Sequence, residues 1–354
     1  MTDLSIVIVS WNVRDLLRRC LRSIYDPKTD ADSEQVSIRD GAAHGADGTE
    51  GEGKTGAPTL QVIVVDNASS DGSADMVADD FPQACLVANQ RNRGFPAANN
   101  QGIAVADGRY VLLLNPDTEV VANALSALVT FADQNPDVGM IGPKLLNADG
   151  SVQSSRRRLP TLATAFIEST WLQPTMARPS SDTLAGRITQ PLRQVLERYY
   201  VADRPDNVTQ DVDWITGAAM LARREAIDEV GLMDEGFFMY SEELDWCRRF
   251  AEAGWRVVYL PSARIVHHVG KSSEQVMAAR HIHFQTSKVR YFRKYHGTVA
   301  AELLRWYLLA SYVWQLALEG AKWLVGHRRS LRAQRMAAYR SVLASGLRGR
   351  HPKS

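Results

Sequence analysis

The stretch LSIVIVSWNVRDLLRRCLRSI (4–24) decides the fold. Its first seven residues, LSIVIVS, are a continuous apolar run with no polar alternation, the pattern of a strand buried on both faces. After the polar turn at Trp11-Asn12, the helical spacing of Leu16, Leu17, Cys20, Leu21 and Ile24 predicts an amphipathic helix over 13–24. The same unit recurs downstream. LQVIVVDNAS (60–69) reads as a second buried strand that ends in a turn, followed by a helix at 73–80, a short strand at 84–88, a helix at 96–106 and the strand YVLLLN at 110–115. Strands alternating with helices predict an α/β fold with a mainly parallel central sheet. Such sheets bind ligands at the carboxyl ends of their strands. Three polar turns end there: Ser10-Trp11-Asn12, Asp66-Asn67-Ala68 and Asn115-Pro116-Asp117.

Working outward, residues 27–58 are rich in Gly, Ala, Asp, Glu and Thr and nearly devoid of large apolar side chains, so they read as a disordered insert. Beyond Gly150 the pattern is irregular to about 210. Residues 212–231 return to strand-then-helix, GWRVVYLP (254–261) reads as the last strand, and 280–345 is helical. The expected division is a catalytic domain over 1–275, containing the insert, and a basic, aromatic helical extension over 276–354. Three well-separated cysteines among 354 residues argue against a disulfide framework and fit a reducing cytoplasm; the short LSIVIVS run is no export signal. Net charge is +1, but residues 280–354 hold 15 Lys/Arg against 2 Asp/Glu, a net of +13 that leaves −12 on the rest. A basic tail on an acidic body suits nucleic acid or an anionic lipid surface.

Four groups carry chemistry. Asp66 and Asn67 end the second strand, where a carboxylate can accept from a base N–H or ribose hydroxyls; Asp71 beside them also suits a helix cap. LLLNPDTE (112–119) aims Asn115 and Asp117 into one crevice, and Asp117 can hold a hard divalent cation that neutralises a diphosphate. FMYSEELDWCRRFAEAGW (238–255) crowds Glu242, Glu243 and Asp245 at a helix start. An acidic first turn capped by Ser241 is the plain reading. Three neighbouring acids also repel, which raises a pKa and makes a general base. His267, in IVHHVGKSS (265–273), gains meaning from the company of the other groups.

Taken in order, VSWNVRDLLRRCLRSI, VVDNASSDGS, NRGFPAANNQGI, LLLNPDTE, ITGAAMLARREAIDEVGLMDEGFFMYSEELDWCRRFAEAGW and VVYLPSARIVHHVGKSS resemble family 2 glycosyltransferases, over about residues 4–273. The bacterial rhamnosyltransferase-like members that build cell-surface polysaccharides are the nearest in look. The resemblance implies a GT-A fold and inversion at the anomeric carbon, with a nucleotide-sugar donor, dTDP-rhamnose first among candidates and UDP-sugars open. It implies Asp66 at the nucleobase with Asn67 beside it, Ser10 and Asn12 near the nucleotide, and Arg93 and Gly94 on the donor side. Asn115 stands at the ribose end of a DxD-like motif and Asp117 at its metal end, for Mg²⁺ or Mn²⁺, with His267 completing coordination. Trp214 and Gly217 would line the acceptor side. Glu243 stands where relatives often carry Asp as base, which leaves Glu242 and Asp245 as competitors for the proton.

In the tail, LLRWYLLASYVWQLALEGAKWLV (303–325) has an uncharged run of only 13 residues, too short to span a bilayer. Its Trp and Tyr residues and the following HRRSLRAQR suit a helix lying on an anionic membrane through 303–335, the inner face of the cell membrane being the expected location. A hairpin packed on protein or in an oligomer is the plainer reading. A nucleotidyltransferase is disfavoured because SWNVRDLL offers no Gly-rich, Lys-bearing loop. A non-catalytic sugar-binding protein or nucleic-acid-binding scaffold stands as the non-enzymatic alternative, although no nucleic-acid reading motif accompanies the charge.

Overall fold

The computed structural model describes residues 2–26, 57–169, 184–268 and 277–349. The insert at 27–58, apart from Ala57 and Pro58, and the loop that carries Gly270, Ser272 and Ser273 lie outside the described residues. The chain forms two compact units: residues 1–156, 205–233 and 247–272 make the first, and 157–204, 234–246 and 273–354 the second. The second thus takes two internal segments as well as the C-terminal helices.

In the first unit the order is β1 (Leu4–Ser10), α1 (Arg14–Tyr25), β2 (Leu60–Asp66), α2 (Ser73–Asp80), β3 (Cys85–Ala88), α3 (Phe95–Val105), β4 (Tyr110–Leu114), β5 (Thr118–Val120), α4 (Ala124–Gln134), β6 (Val138–Leu146) and β7 (Val152–Gln153). β8 (Arg156–Arg157), α5 (Leu162–Glu168) and α6 (Leu184–Tyr199) lead to β9 (Gln210–Asp211), β10 (Trp214–Ile215), β11 (Ala219–Arg223), α7 (Arg224–Val230), α8 (Glu242–Glu252) and β12 (Arg256–His267). The sheet runs β3-β2-β1-β4-β11-β6-β12-β5. Its first four strands are parallel, as the alternation of strands and helices requires. β11 enters antiparallel between β4 and β6, so the sheet is mixed. It reaches its place from the β9–β10 connections without a helical crossover, which frees it to run the other way.

Both sheet faces are covered. Leu4, Ile6 and Ile8 pack with Leu17, Cys20, Leu21 and Ile24 of α1 in one core cluster, together with Met76 and Val77 of α2 and Leu128 of α4. The alternate residues meet α3, where Gly102 lies so near Val7 that a Cβ there would stand 2.3 Å from Val7 Cγ1. Cys20 and Cys247 are buried and Cys85 is exposed, all as free thiols.

The second unit is built on α9 (Met277–Leu324), which breaks at Gly297, a residue with φ of +84°, and on α10 (Arg329–Ser345). Leu304, Leu308 and Tyr312 of α9 are buried, as are Ala338 and Val342 of α10. A buried ion pair, Arg332 to Glu319 at 2.7 Å, joins the two helices. No helix among the described residues is long and apolar enough to cross a membrane.

An alanine inside a helix ordinarily stabilises it relative to glycine. At Gly102 the sign should reverse, because both methyls and the Cβ of the stiff, β-branched Val7 would lie within 3.3 Å of the new Cβ. Gly102→Ala is expected to lose roughly 1–3 kcal/mol by urea denaturation; a gain in stability would show that the α3–β1 contact is looser than drawn.

Candidate active site

The candidate donor side grows from the strand register. Ser10 pairs with Asp66 across β1 and β2, and Ile8 pairs with Leu114 across β1 and β4, so three strands end together. Asp66 is buried; one carboxylate oxygen accepts from the Ser69 N–H at 2.9 Å, and the other, like the buried Ser10 hydroxyl, has no hydrogen-bond partner among the described residues. Buried polar atoms are nearly always satisfied, so an unmet pair at adjoining strand ends marks a place for a ligand's donors.

Several neighbours hold this edge in shape. Asn67 donates to the Asn92 side-chain oxygen at 3.0 Å and accepts from the Arg93 N–H at 3.0 Å, tying the β2 end to the loop before α3. There Gly94 takes φ of +88°, and the Arg93 side chain is exposed. Asn12, itself left-handed at φ +55°, accepts from the Ser70 N–H at 2.7 Å. Asp71 accepts from the N–H groups of Arg14 at 2.8 Å and Ser73 at 3.1 Å, at the starts of α1 and α2, so the capping expectation holds there. Asn12 and Asn67 therefore spend polar atoms on bracing loops.

The Asn115-Pro116-Asp117 turn follows β4. The Asn115 N–H donates to the Ala218 carbonyl at 2.9 Å, which sets Gly217 next to this turn, while Trp214 is buried in β10. The Asn115 carbonyl accepts from the Thr118 hydroxyl at 2.7 Å, and the Cys20 thiol lies beneath it at 3.7 Å. Burial pushes that thiol up to about 12, so it stays protonated and serves as packing.

β12 carries the chain past a register shift between Leu260 and Arg264 and pairs His267 with Thr118 of β5. This pairing brings His267 Nε2 to 3.4 Å from Asp117 Oδ1. The other ring nitrogen, Nδ1, meets the Gln153 side-chain oxygen at 2.7 Å. With Nδ1 protonated and donating to Gln153, Nε2 presents a lone pair toward a carboxylate, an arrangement that suits a shared cation. Among the described residues no group of three or more His, Cys, Asp or Glu could hold a metal. A two-ligand site of this kind fits a cation whose remaining positions are filled by diphosphate oxygens or water. Gln153 was not foreseeable from sequence, because it reaches His267 only through the β6–β7 hairpin. The neighbouring pair His268–Glu119, at 2.8 Å, was also missed.

The acidic cluster lies in the second unit, in the first turn of α8. Tyr240 and Ser241 precede it with φ of +71° and +65°. Two successive left-handed non-glycine residues each cost on the order of 1–3 kcal/mol. Ser241 thus lacks the extended backbone of the capping serine expected from sequence. The turn is clamped from α9: the Ser287 hydroxyl donates to the Met239 carbonyl at 2.8 Å, and Tyr240 packs edge-on to Phe284. Glu242 and Glu243 each keep one buried carboxylate oxygen without a hydrogen-bond partner among the described residues. Burial, with repulsion from Glu243, drives Glu242 upward, and burial pushes Glu243 up to about 7. Asp245 differs from both. It accepts from the Tyr295 hydroxyl at 2.8 Å and pairs with Lys294 at 2.6 Å, so its charge is already answered.

The Glycosyl transferase family 2 sequence profile matches residues 53–231. An N-acetylglucosaminyl-diphospho-decaprenol L-rhamnosyltransferase of Mycobacterium tuberculosis is 32% identical over 239 residues, covering 63% of this chain and 72% of that protein. A low-salt glycan biosynthesis hexosyltransferase of Haloferax volcanii is 25% identical over 193 residues, covering 53% of this chain and 52% of that one. A mannosyltransferase structure from Pyrobaculum calidifontis aligns with 97% of this chain and 86% of its own at 18% identity, with a TM-score of 0.49. The family profile and the mycobacterial relative make the chain a glycosyltransferase. The chain belongs to glycosyl transferase family 2.

The raised Glu243 carboxyl has a measurable signature. From the ordinary glutamate value of 4.5 up to about 7 the folded protein retains a proton that the unfolded chain has released. Its contribution to stability is therefore whole below 4.5 and is lost as pH climbs through 7. Glu243→Gln should leave Tm unchanged at pH 4.5 and raise it by roughly 2–4 °C at pH 8 in differential scanning calorimetry. An equal difference at both pH values would remove burial as the cause.

Proposed function

We propose that this chain is an inverting transferase that moves a sugar, L-rhamnose from dTDP-rhamnose in the first instance, to a hydroxyl of a lipid-linked or polysaccharide acceptor in cell-envelope glycan synthesis. The observation that carries the donor half is the approach of Asp117 and His267 at the aligned strand ends, beside the unmet oxygens of Asp66 and Ser10. The mycobacterial relative, a rhamnosyltransferase acting on a polyprenyl diphosphate sugar, supports the choice of sugar and acceptor.

In this reading Asp66 accepts from the base, Ser10 meets the nucleotide, and Asn115 faces the ribose. Arg93 and the Gly94 turn face the diphosphate. Asp117 and His267 would hold a divalent cation, Mg²⁺ or Mn²⁺, whose chemistry when bound is to offset charge gathering on the departing diphosphate. Trp214 and Gly217 line the acceptor side. Glu243 takes the proton from the acceptor hydroxyl, which attacks the anomeric carbon opposite the leaving group. A single displacement of this kind inverts configuration and needs no covalent nucleophile. Glu243 suits the role because burial brings its basicity near neutral pH, where a general base works best. Glu242 is driven upward by burial and by repulsion from Glu243, and Asp245, held by Lys294 and Tyr295, positions the helix turn.

A thermal-shift panel of dTDP- and UDP-sugars, with and without Mg²⁺ or Mn²⁺, is expected to show stabilisation by a donor only with metal, rising with ligand concentration. Glu243→Gln and Asp117→Ala should each cut transfer by roughly 10²–10⁴-fold. Circular dichroism should find both folded, and NMR of the wild-type product should show the inverted anomer. Full activity in Glu243→Gln would sink the assignment of the base.

A further inference from the structure

After its break at Gly297, α9 has two apolar faces. One is consumed by the fold: Leu304, Leu308 and Tyr312 are buried. The other is Val299 (77% exposed), Leu303 (61%), Trp306 (61%), Val313 (56%), Trp314 (50%) and Leu324 (71%). At 100° per residue these fall within an arc of about 100° on the helix surface. The exposed alanines 310, 317 and 321 fill the gaps between them. Single exposed apolar residues need no explanation, but a continuous stripe with two tryptophans does.

The charge around the stripe names the occupant. Residues 299–349 hold 8 Lys/Arg and 2 Asp/Glu. Both acids are already engaged: Glu302 with Arg305 at 2.7 Å, and Glu319 with Arg332 at 2.7 Å. Lys322, Arg328 and Arg329 are exposed where α9 gives way to α10, at the stripe's end; Lys322 also reaches Glu319 at 3.6 Å, and the two arginines add positive charge there. A protein partner would need an acidic rim to match them, whereas an anionic bilayer supplies apolar depth and negative charge together. Tryptophan, with a broad ring and one N–H, suits the boundary between headgroups and acyl chains. The helix is not apolar all round, so it would lie in the surface and not cross it.

We propose that the stripe from Val299 to Leu324 is a membrane-docking face, seated at the headgroup boundary of an anionic lipid surface and anchored by Lys322, Arg328 and Arg329. The transfer chemistry does not depend on this docking; docking would bring a lipid-linked acceptor to the enzyme.

Full-length protein is mixed with vesicles of phosphatidylcholine, alone or with phosphatidylglycerol, and separated by flotation. The wild type should float with the anionic vesicles, with blue-shifted tryptophan emission, and release as salt is raised. Leu303→Ser/Trp306→Ser/Trp314→Ser should lose roughly tenfold or more of that binding. Arg328→Gln/Arg329→Gln should lose the preference for phosphatidylglycerol. Both variants are expected to keep the wild-type rate on a water-soluble acceptor, which separates failure of docking from failure of the transferase reading. No binding by the wild type, or equal binding by all three proteins, would overturn the proposal. So would a wild-type dimer in analytical ultracentrifugation that the serine variant splits, since the stripe would then be an interface between two copies.

Discussion

The parallel pairing of β1 with β2 on one side and β4 on the other is the constraint from which the site follows. It sets Ser10 level with Asp66 and Ile8 level with Leu114, the last residue of β4, from which the Asn115-Pro116-Asp117 turn departs. A slip of one residue would send Asp66 to the opposite sheet face. The slip is blocked from both sides: Ile6 and Ile8 are locked into the α1 layer, and Val7 is pinned under Gly102. Core packing and site geometry are thus one problem. The oxygens of Ser10 and Asp66 are poised because the apolar residues behind them have nowhere else to go.

Two carboxylate settings divide the chemistry. Asp117 sits against a histidine whose far nitrogen is fixed by Gln153, a setting that keeps negative charge useful for a cation. Glu242 and Glu243 sit in a strained turn where burial, and for Glu242 also repulsion from Glu243, makes charge costly. The first setting suits holding a charged leaving group, and the second suits receiving a proton. Asp245, three residues from Glu242, shows how local the distinction is: Lys294 and Tyr295 turn a third acid into a brace.

Much of this was legible in the sequence, and the divide is physical. Buried parallel strands announce themselves as unbroken apolar runs, so β1, β2 and β4 and the helices between them were readable within a residue or so. β5 and β7 are too short to carry a pattern, and β12 runs on past the proline and serine that looked like its end, because pairing with β6 and β5 holds it. The Asp117–His267 approach was expected from resemblance, but its support by Gln153 depends on a hairpin register that no local signal encodes. Asn12 and Asn67 read as nucleotide contacts, and their side chains also brace loops. Asparagine at a turn looks the same in sequence whether it serves a ligand or the backbone.

The distribution of the three cysteines has a practical side. Cys20 and Cys247 are shut in the core, and the Cys20 thiol resists ionisation, while Cys85 is exposed on β3 at the outer edge of the sheet. A mild maleimide should therefore find a single address in the native protein, on a strand that contributes none of the proposed site residues. The enzyme carries its own attachment point for a fluorophore or a solid support.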